Sequence, residues 1–306
     1  MTRAVVLAYH NVGVRCLSTL LAHGVQVPLI VTHRDNPAEN IWFDSVADLG
    51  ARYDIPTITP DDPNTPQVMA QIAAAQPDFL FSFYYRHMLR PELLALAPNG
   101  AYNVHGSLLP KYRGRVPVNW AVLHGERETG ATVHEMVAKP DAGRIVAQSR
   151  VPILPDDTAF EVFNKLTVAA EIALDGALPG LLAGSAPHVA QDLSQGAYFG
   201  GRKPDDGRID WTQSAEAIHN LIRAVSPPYP GAFFDLAGER LVVTRSLRLP
   251  QREAQPGRPG IYVDHARYYA DCGDGQVLRL LSIEHHGRAL APADFAARFG
   301  GSKIAF

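Results

Sequence analysis

The sequence predicts an α/β chain in two parts: a Rossmann-like domain with a mainly parallel sheet over residues 1–200, then a small β-barrel domain over residues 201–306. Three observations predict it. Short apolar runs alternate with helix-periodic stretches through the first half. One of those runs, Phe79-Leu80-Phe81-Ser82-Phe83, is apolar almost throughout, as in a parallel strand covered on both faces. After Gly200-Gly201-Arg202-Lys203-Pro204-Asp205-Asp206-Gly207, a linker rich in Gly, Pro and charge, several short strand-like runs follow with glycine-bearing turns between them.

In order along the chain, Ala4 to Ala8 reads as a strand. Val14 to His23 reads as a helix, with Leu17, Leu20 and Leu21 on one face and Gly24 as its stop. Val27 to Val31 is the next strand, Asp44 to Tyr53 a helix, Ile55 to Ile58 a short extended piece, and Thr65 to Ala75 a helix followed by Pro77. Phe160 to Leu182 reads as one long helix with Phe163, Leu166, Ala170 and Leu174 on its apolar face. Beyond the linker come a helix at Ser214 to Val225 and strands at 232–236, 240–247, 260–263, 268–272 and 276–283. No G-x-G-x-x-G follows the first strand. Tyr9-His10-Asn11-Val12-Gly13 stands in its place, which argues against a dinucleotide and so against a dehydrogenase.

Bulk composition narrows the classes further. Hydrophobic residues make up 46% of the 306 and charged residues 19%, with a net charge of −3, so a sizeable core is available and no basic excess exists to hold a nucleic-acid backbone. Cys16 and Cys272 lie far apart, no His/Cys spacing suggests a metal site, and a reduced, cytoplasmic setting is the default. The five-residue apolar run after Met1-Thr2-Arg3 is too short for a secretory signal, and no apolar stretch is long enough to cross a bilayer. Homo-oligomers are common among such proteins, though no interface is legible.

The chemistry concentrates in Tyr102-Asn103-Val104-His105-Gly106-Ser107-Leu108-Leu109-Pro110. On a strand the side chains of Asn103 and His105 share a side. An amide that donates to a developing oxyanion, beside an imidazole that takes a proton, suits nucleophilic attack on a carbonyl. Asn-x-His by itself is equally a half-buried strand with two polar residues. A second cluster, Lys139-Pro140-Asp141-Ala142-Gly143, follows the alternating run Thr132 to Val137. Asp141 is there either a turn former or a carboxylate that orients His105.

Asn103 to Pro110, then Tyr112-Arg113-Gly114 and Asp141-Ala142-Gly143, resembles the signature of folate-dependent formyltransferases. Phe81-Ser82-Phe83-Tyr84-Tyr85-Arg86-His87 and His105 to Arg115 resemble the amino-sugar branch, closest to the formyltransferase half of the bifunctional enzymes that formylate UDP-4-amino-4-deoxy-L-arabinose in polymyxin resistance and lipid A modification. Those enzymes carry an added NAD-dependent decarboxylase domain, which this sequence does not include. The likeness runs from Ala8-Tyr9-His10 to Pro230-Gly231-Ala232-Phe233.

The resemblance implies 10-formyltetrahydrofolate as co-substrate, no metal, and a nucleotide-linked amino sugar as acceptor. It implies an OB-like second domain. It makes Asn103, His105 and Asp141 the catalytic triad, and it lays folate along His87-Met88-Leu89 and Val137-Ala138-Lys139-Pro140, with Arg115 offering its planar fork to an anionic group. Trp120 and Asn119 either line the sugar pocket or serve the core. His134, on the strand before Asp141, is expected to be structural, and His285-His286 is expected to be a solvent-facing loop. The alternatives are a dTDP-amino-sugar N-formyltransferase and, against the charge balance, methionyl-tRNA formyltransferase.

Overall fold

A computed structural model describes residues 1–306. In chain order the elements are β1 (Arg3–Ala8), α1 (His10–Ala22), β2 (Gln26–Val31), α2 (Val46–Arg52), β3 (Thr57–Ile58), α3 (Pro66–Ala74), β4 (Phe79–Phe83), α4 (Pro91–Leu94), β5 (Ala101–His105), β6 (Arg113–Gly114), α5 (Pro117–Leu123), β7 (Glu128–Glu135), β8 (Ile145–Pro152), α6 (Ala159–Leu182) and β9 (Tyr198–Phe199). They are followed by α7 (Ala215–Val225), β10 (Ala232–Leu236), β11 (Glu239–Glu253), β12 (Gly260–Asp264), β13 (Arg267–Asp271), β14 (Gln276–His285), β15 (Arg288–Ala289), α8 (Pro292–Phe299) and β16 (Ile304–Ala305).

The chain divides into two compact units. The first holds Met1–Pro117, Glu128–Val151 and Asn164–Gly200; the second holds Val118–Arg127, Pro152–Phe163 and Gly201–Phe306. Two stretches before residue 200 therefore belong to the second unit, which a single cut in the sequence does not capture.

The first unit is built on a seven-stranded sheet in the order β3-β2-β1-β4-β5-β7-β8. Strands β1 to β5 pair parallel, and β7 runs antiparallel to β5. Every residue of β4 is buried, as its unbroken apolar run requires. The order reverses at β1 and β4: the chain leaves β1 toward β2 and β3, then returns to lay β4 and β5 on the other side. Such a reversal opens a crevice at the strands' carboxyl ends, where ligands collect in sheets of this kind. Ser45 and Thr65 accept hydrogen bonds from the backbone N–H groups of Asp48 and Val68, which satisfies donors left free at the starts of α2 and α3.

Helix α1 begins at His10, four residues before its apolar periodicity does. His10 holds φ at +68°, so the chain leaves β1 and enters the helix within one residue. Such a φ is costly outside glycine and persists only where the surroundings enforce it.

The second unit is an antiparallel sheet in the order β10-β11-β14-β13-β12-β16, with β15 pairing β14. Its core gathers Ile218 and Ile222 of α7, Leu241, Val243 and Ile283 of the sheet, and Phe295 of α8. The edge strands β10 and β16 do not pair, so the expected barrel stays open as a half-barrel. Aromatic packing takes the place of the missing ladder. Trp211 stacks on Phe306, just after β16, with ring centroids 5.0 Å apart, and Phe234 of β10 lies edge-on to both.

Candidate active site

Strand β5 ends on His105, and the register Asn103↔His134 and His105↔Thr132 sets β7 beside it. Asn103 Nδ2 donates to His134 Nε2 at 3.1 Å. The other ring nitrogen of His134 donates from Nδ1–H to the Glu135 carbonyl oxygen at 2.7 Å. That bond fixes the tautomer: Nε2 keeps its lone pair and can accept only from the NH₂ end of the amide. Burial pushes His134 down to about 4, against the opposing pull of Asp141, so the ring is neutral near neutral pH and the arrangement is stable there. His134, expected to be structural, is buried, and its ring holds the Asn103 amide.

His105 is buried, and its Nε2–H donates to the Tyr112 carbonyl oxygen at 2.8 Å. Only Nδ1 is then left to take a proton. Nδ1 faces Asp141 Oδ1 at 3.6 Å, and His134 Nε2 is also 3.6 Å from the same oxygen. These are charge contacts and not hydrogen bonds, because the separation is too long. The expectation that Asp141 orients His105 needs correcting. The Tyr112 carbonyl holds the ring, and Asp141 supplies a nearby negative charge.

Asp141 is itself fixed from behind. Its Oδ2 accepts from the Gly114 backbone N–H at 2.8 Å, and Gln191 Nε2 donates to the carbonyl oxygens of Asp141 and Gly143 at 3.0 and 2.6 Å. Asp141 has φ +51°, a conformation that a short polar side chain tolerates better than most. Gly143 must be glycine on steric grounds, since a Cβ there would stand 2.0 Å from the Glu135 carbonyl oxygen. Gly114 likewise lets the Phe199 carbonyl approach to 2.2 Å of where a Cβ would be. Burial of Arg113 serves the same wall: its Nη2 donates to the carbonyl oxygens of Gly196 and Leu193 at 3.2 and 3.4 Å. Arg113 is thus not a solvated loop charge.

The residues expected to bind folate are brought to differing places. His87 is exposed, with its ring 5.1 Å from that of His33. Met88 is 59% exposed, while its carbonyl oxygen accepts from Asn64 Nδ2 at 2.9 Å. Leu89 is only 8% exposed and packs with Val5, Leu7 and Leu93 in the core, so its side chain is turned to the core, unlike its two neighbours. Val137, Ala138 and Lys139 form an exposed loop that runs through half-buried Pro140 into Asp141. Arg115 is exposed, its backbone N–H tied to the Phe199 carbonyl oxygen at 2.9 Å. Asn119 belongs to the second unit, where its amide donates to the Ala224 carbonyl oxygen at 2.8 Å; Trp120 lies under the Arg202 guanidinium at 4.9 Å.

Sequence reasoning passed over an aromatic group at the crevice between β1 and β4. His10 stacks on Phe43 at 3.9 Å, Tyr9 lies edge-on to Phe43 and to His33, and His33 stacks on Tyr85 at 4.2 Å. Arg86 sits 4.8 Å over the Tyr9 ring, and its Nη1 donates to both oxygens of Glu39. Burial, and then Arg86, push His10 down to about 3; burial, with His87 and Arg86, pushes His33 down to about 4. Flat rings beside a cation suit a planar, anionic ligand. The signal in the sequence was the density of His and aromatic residues after the first and fourth strands, but only the sheet order brings those loops together.

Comparison with known proteins identifies the family. Residues 17–178 match the formyl transferase family and residues 202–300 match the formyl transferase C-terminal domain. Among solved structures, the chain is similar to WlaRD, a sugar 3N-formyl transferase crystallised in the presence of dTDP and 5-N-formyl-THF, at 18% identity and TM-score 0.71, covering 94% of this chain and 99% of that one. It is similar to an N-formyltransferase from Helicobacter canadensis in complex with folinic acid and dTDP-3-aminofucose, at 18% identity and TM-score 0.72, over 92% and 99% of the two chains. A 4-N formyltransferase from Francisella tularensis matches at 19% identity and TM-score 0.64, over 78% and 95%. At such identities the structural likeness speaks for the fold. The family match spans more than half the sequence, and the chain belongs to the formyl transferase family.

Proposed function

We propose that this formyl transferase moves a formyl group from 10-formyltetrahydrofolate to the amino group of a nucleotide-linked sugar, with UDP-4-amino-4-deoxy-L-arabinose as the preferred acceptor. The observation that carries the reading is the fixed Asn103 amide beside the one proton-accepting nitrogen of His105, at the carboxyl end of β5.

The geometry supports the following sequence. The sugar amine attacks the formyl carbon, and the carbonyl π pair moves onto oxygen. One hydrogen of the Asn103 amide is directed to His134; the other is available to the oxyanion, a contact worth roughly 3 kcal/mol of barrier. His105 Nδ1 takes the proton that the nitrogen sheds on forming its new bond. The resulting imidazolium lies 3.6 Å from the Asp141 carboxylate, which stabilises its charge. Collapse of the tetrahedral intermediate breaks the bond from carbon to the folate nitrogen, and that nitrogen receives the proton. The products are the formamide and tetrahydrofolate, and no step calls for a metal.

In this reading Val137 to Pro140 and the backbone of His87 to Leu89 hold the folate. The C-terminal half-barrel plays the part of an OB-like domain, in a cytoplasmic enzyme feeding lipid A modification. A dTDP-amino sugar is the second reading, favoured by the dTDP and dTDP-3-aminofucose named for two similar structures. A transfer assay with 10-formyltetrahydrofolate against both acceptors, read by the mass of one added formyl group, decides between them. Turnover with the UDP sugar alone supports the first reading and turnover with dTDP sugars alone the second. Transfer to neither overturns the amino-sugar assignment.

A further inference from the structure

Two tight turns meet at one end of the C-terminal sheet. Ala237-Gly238 joins β10 to β11, with φ of +51° and +81°, and His286-Gly287 joins β14 to β15, with φ of +49° and +71°. Both are two-residue hairpin loops with positive φ at each central residue, closed by the pairs Leu236↔Glu239 and His285↔Arg288. The pairing Leu241↔His285 brings the start of β11 beside the end of β14. Glu239 and the adjacent histidines thereby come together, although far apart in sequence.

On a regular strand, neighbouring side chains point to opposite faces. The positive φ of His286 breaks that alternation, and its ring centroid lies 4.0 Å from that of His285. One ligand atom from each of Glu239, His285 and His286 lies within 4.8 Å of the others. His285 is not the solvent-facing loop residue expected from the sequence: its side chain is only 12% exposed.

Glu239 is held in place by Arg298. Arg298 Nε and Nη2 both donate to Oε1, at 3.1 and 2.7 Å, which fixes the carboxylate and leaves Oε2 turned toward the imidazole. Oε2 and His285 Nε2 are 2.6 Å apart, yet both atoms are buried and neither has an aligned hydrogen-bond partner. A carboxylate oxygen this close to an imidazole nitrogen repels its lone pair unless the two share a proton or a cation.

We propose that Glu239, His285 and His286 form a binding site for a divalent transition-metal ion of the zinc type, separate from formyl transfer. Two imidazoles and one carboxylate make a donor set that zinc takes with bonds of about 2.0–2.2 Å, leaving a fourth position open. Tetrahedral bonds of that length place donor atoms roughly 3.3 Å apart, so Glu239 and His285 separate slightly and His286 closes in. His286 is exposed and gives the ion its way in. The Arg298 contact to the carboxylate is the outer support that metal-ligating carboxylates commonly have. Bound metal ties the two turns together and stabilises the folded chain by mass action.

The test uses the full chain, without a histidine tag and stripped with EDTA. Titration with CoCl₂ is followed by visible absorption, and thermal melts are recorded with ZnCl₂, with MgCl₂ and after renewed EDTA. The expected result is one equivalent of cobalt bound with the intense bands of a tetrahedral centre. Zinc raises Tm, EDTA reverses the rise, and magnesium has no effect. His286→Ala, at an exposed turn, and Glu239→Gln each remove the bands and the zinc-dependent rise. No tetrahedral cobalt spectrum in the parent chain overturns the proposal. So does an unchanged spectrum in both variants, which would place the metal on other histidines.

Discussion

The amide of Asn103 is held by the ring of His134, Nδ2 to Nε2 at 3.1 Å, across the pairing of β5 with β7. The residue we propose to meet the oxyanion is thus aimed by a neutral histidine whose tautomer is set by the Glu135 carbonyl. A free amide would present oxygen or nitrogen to the site with similar ease; this one presents nitrogen.

His134→Ala is therefore expected to lower kcat by about 10-fold or more, with KM little changed, because the lost interaction forms fully only in the transition state. Asn103→Ala is expected to cost about 100-fold or more in kcat. The double variant should fall no further than Asn103→Ala alone, since His134 acts through Asn103. Steady-state kinetics of the three variants checks the coupling.

His105→Ala is expected to abolish transfer while folate binding survives. Titration of the variant with tetrahydrofolate, beside the transfer assay, separates the two. Near-normal turnover would remove His105 as the base.

Asp141→Asn is expected to fold normally, since asparagine also accepts the φ of +51° and its amide oxygen can accept from Gly114 N–H. The rate is expected to fall by about 10-fold or more, because the charge beside the imidazolium is gone. Its pH–rate profile should move relative to the parent. Asp141→Ala is expected to lower Tm as well, having lost the Gly114 contact.

Stability is expected to fall as the pH drops from about 6.5 toward 4. Burial pushes His134 and His33 down to about 4 and His10 to about 3, so the fold keeps these rings neutral while the unfolded chain protonates them near pH 6.5. Within that window the unfolded state binds more protons, and acidification favours it. Urea melts at pH 7, 6 and 5 check the slope, which should flatten in His134→Gln.

The sequence by itself determined the fold class, the central strands and the catalytic candidates. Those features rest on local signals. The unbroken apolar run of β4, the helical periodicity of α6 and the Asn103-x-His105 spacing are each contained within a few residues. Short strands such as β6, β9 and β16 carry no periodicity of their own, and pairing partners elsewhere in the chain make them. Only the tertiary structure decided what each polar group meets. Antiparallel register turned His134 from a strand residue into the support of Asn103, and Tyr112 rather than Asp141 took hold of His105. Leu89 went into the core because the chain beyond β4 folds back over α3 and β1. The open half-barrel, with an aromatic trio where a ladder would close it, and the meeting of Glu239 with His285 and His286 have the same origin. Hydrogen bonds and close packing depend on distances of a few tenths of an ångström between residues far apart in sequence, and those distances exist only once the chain has folded.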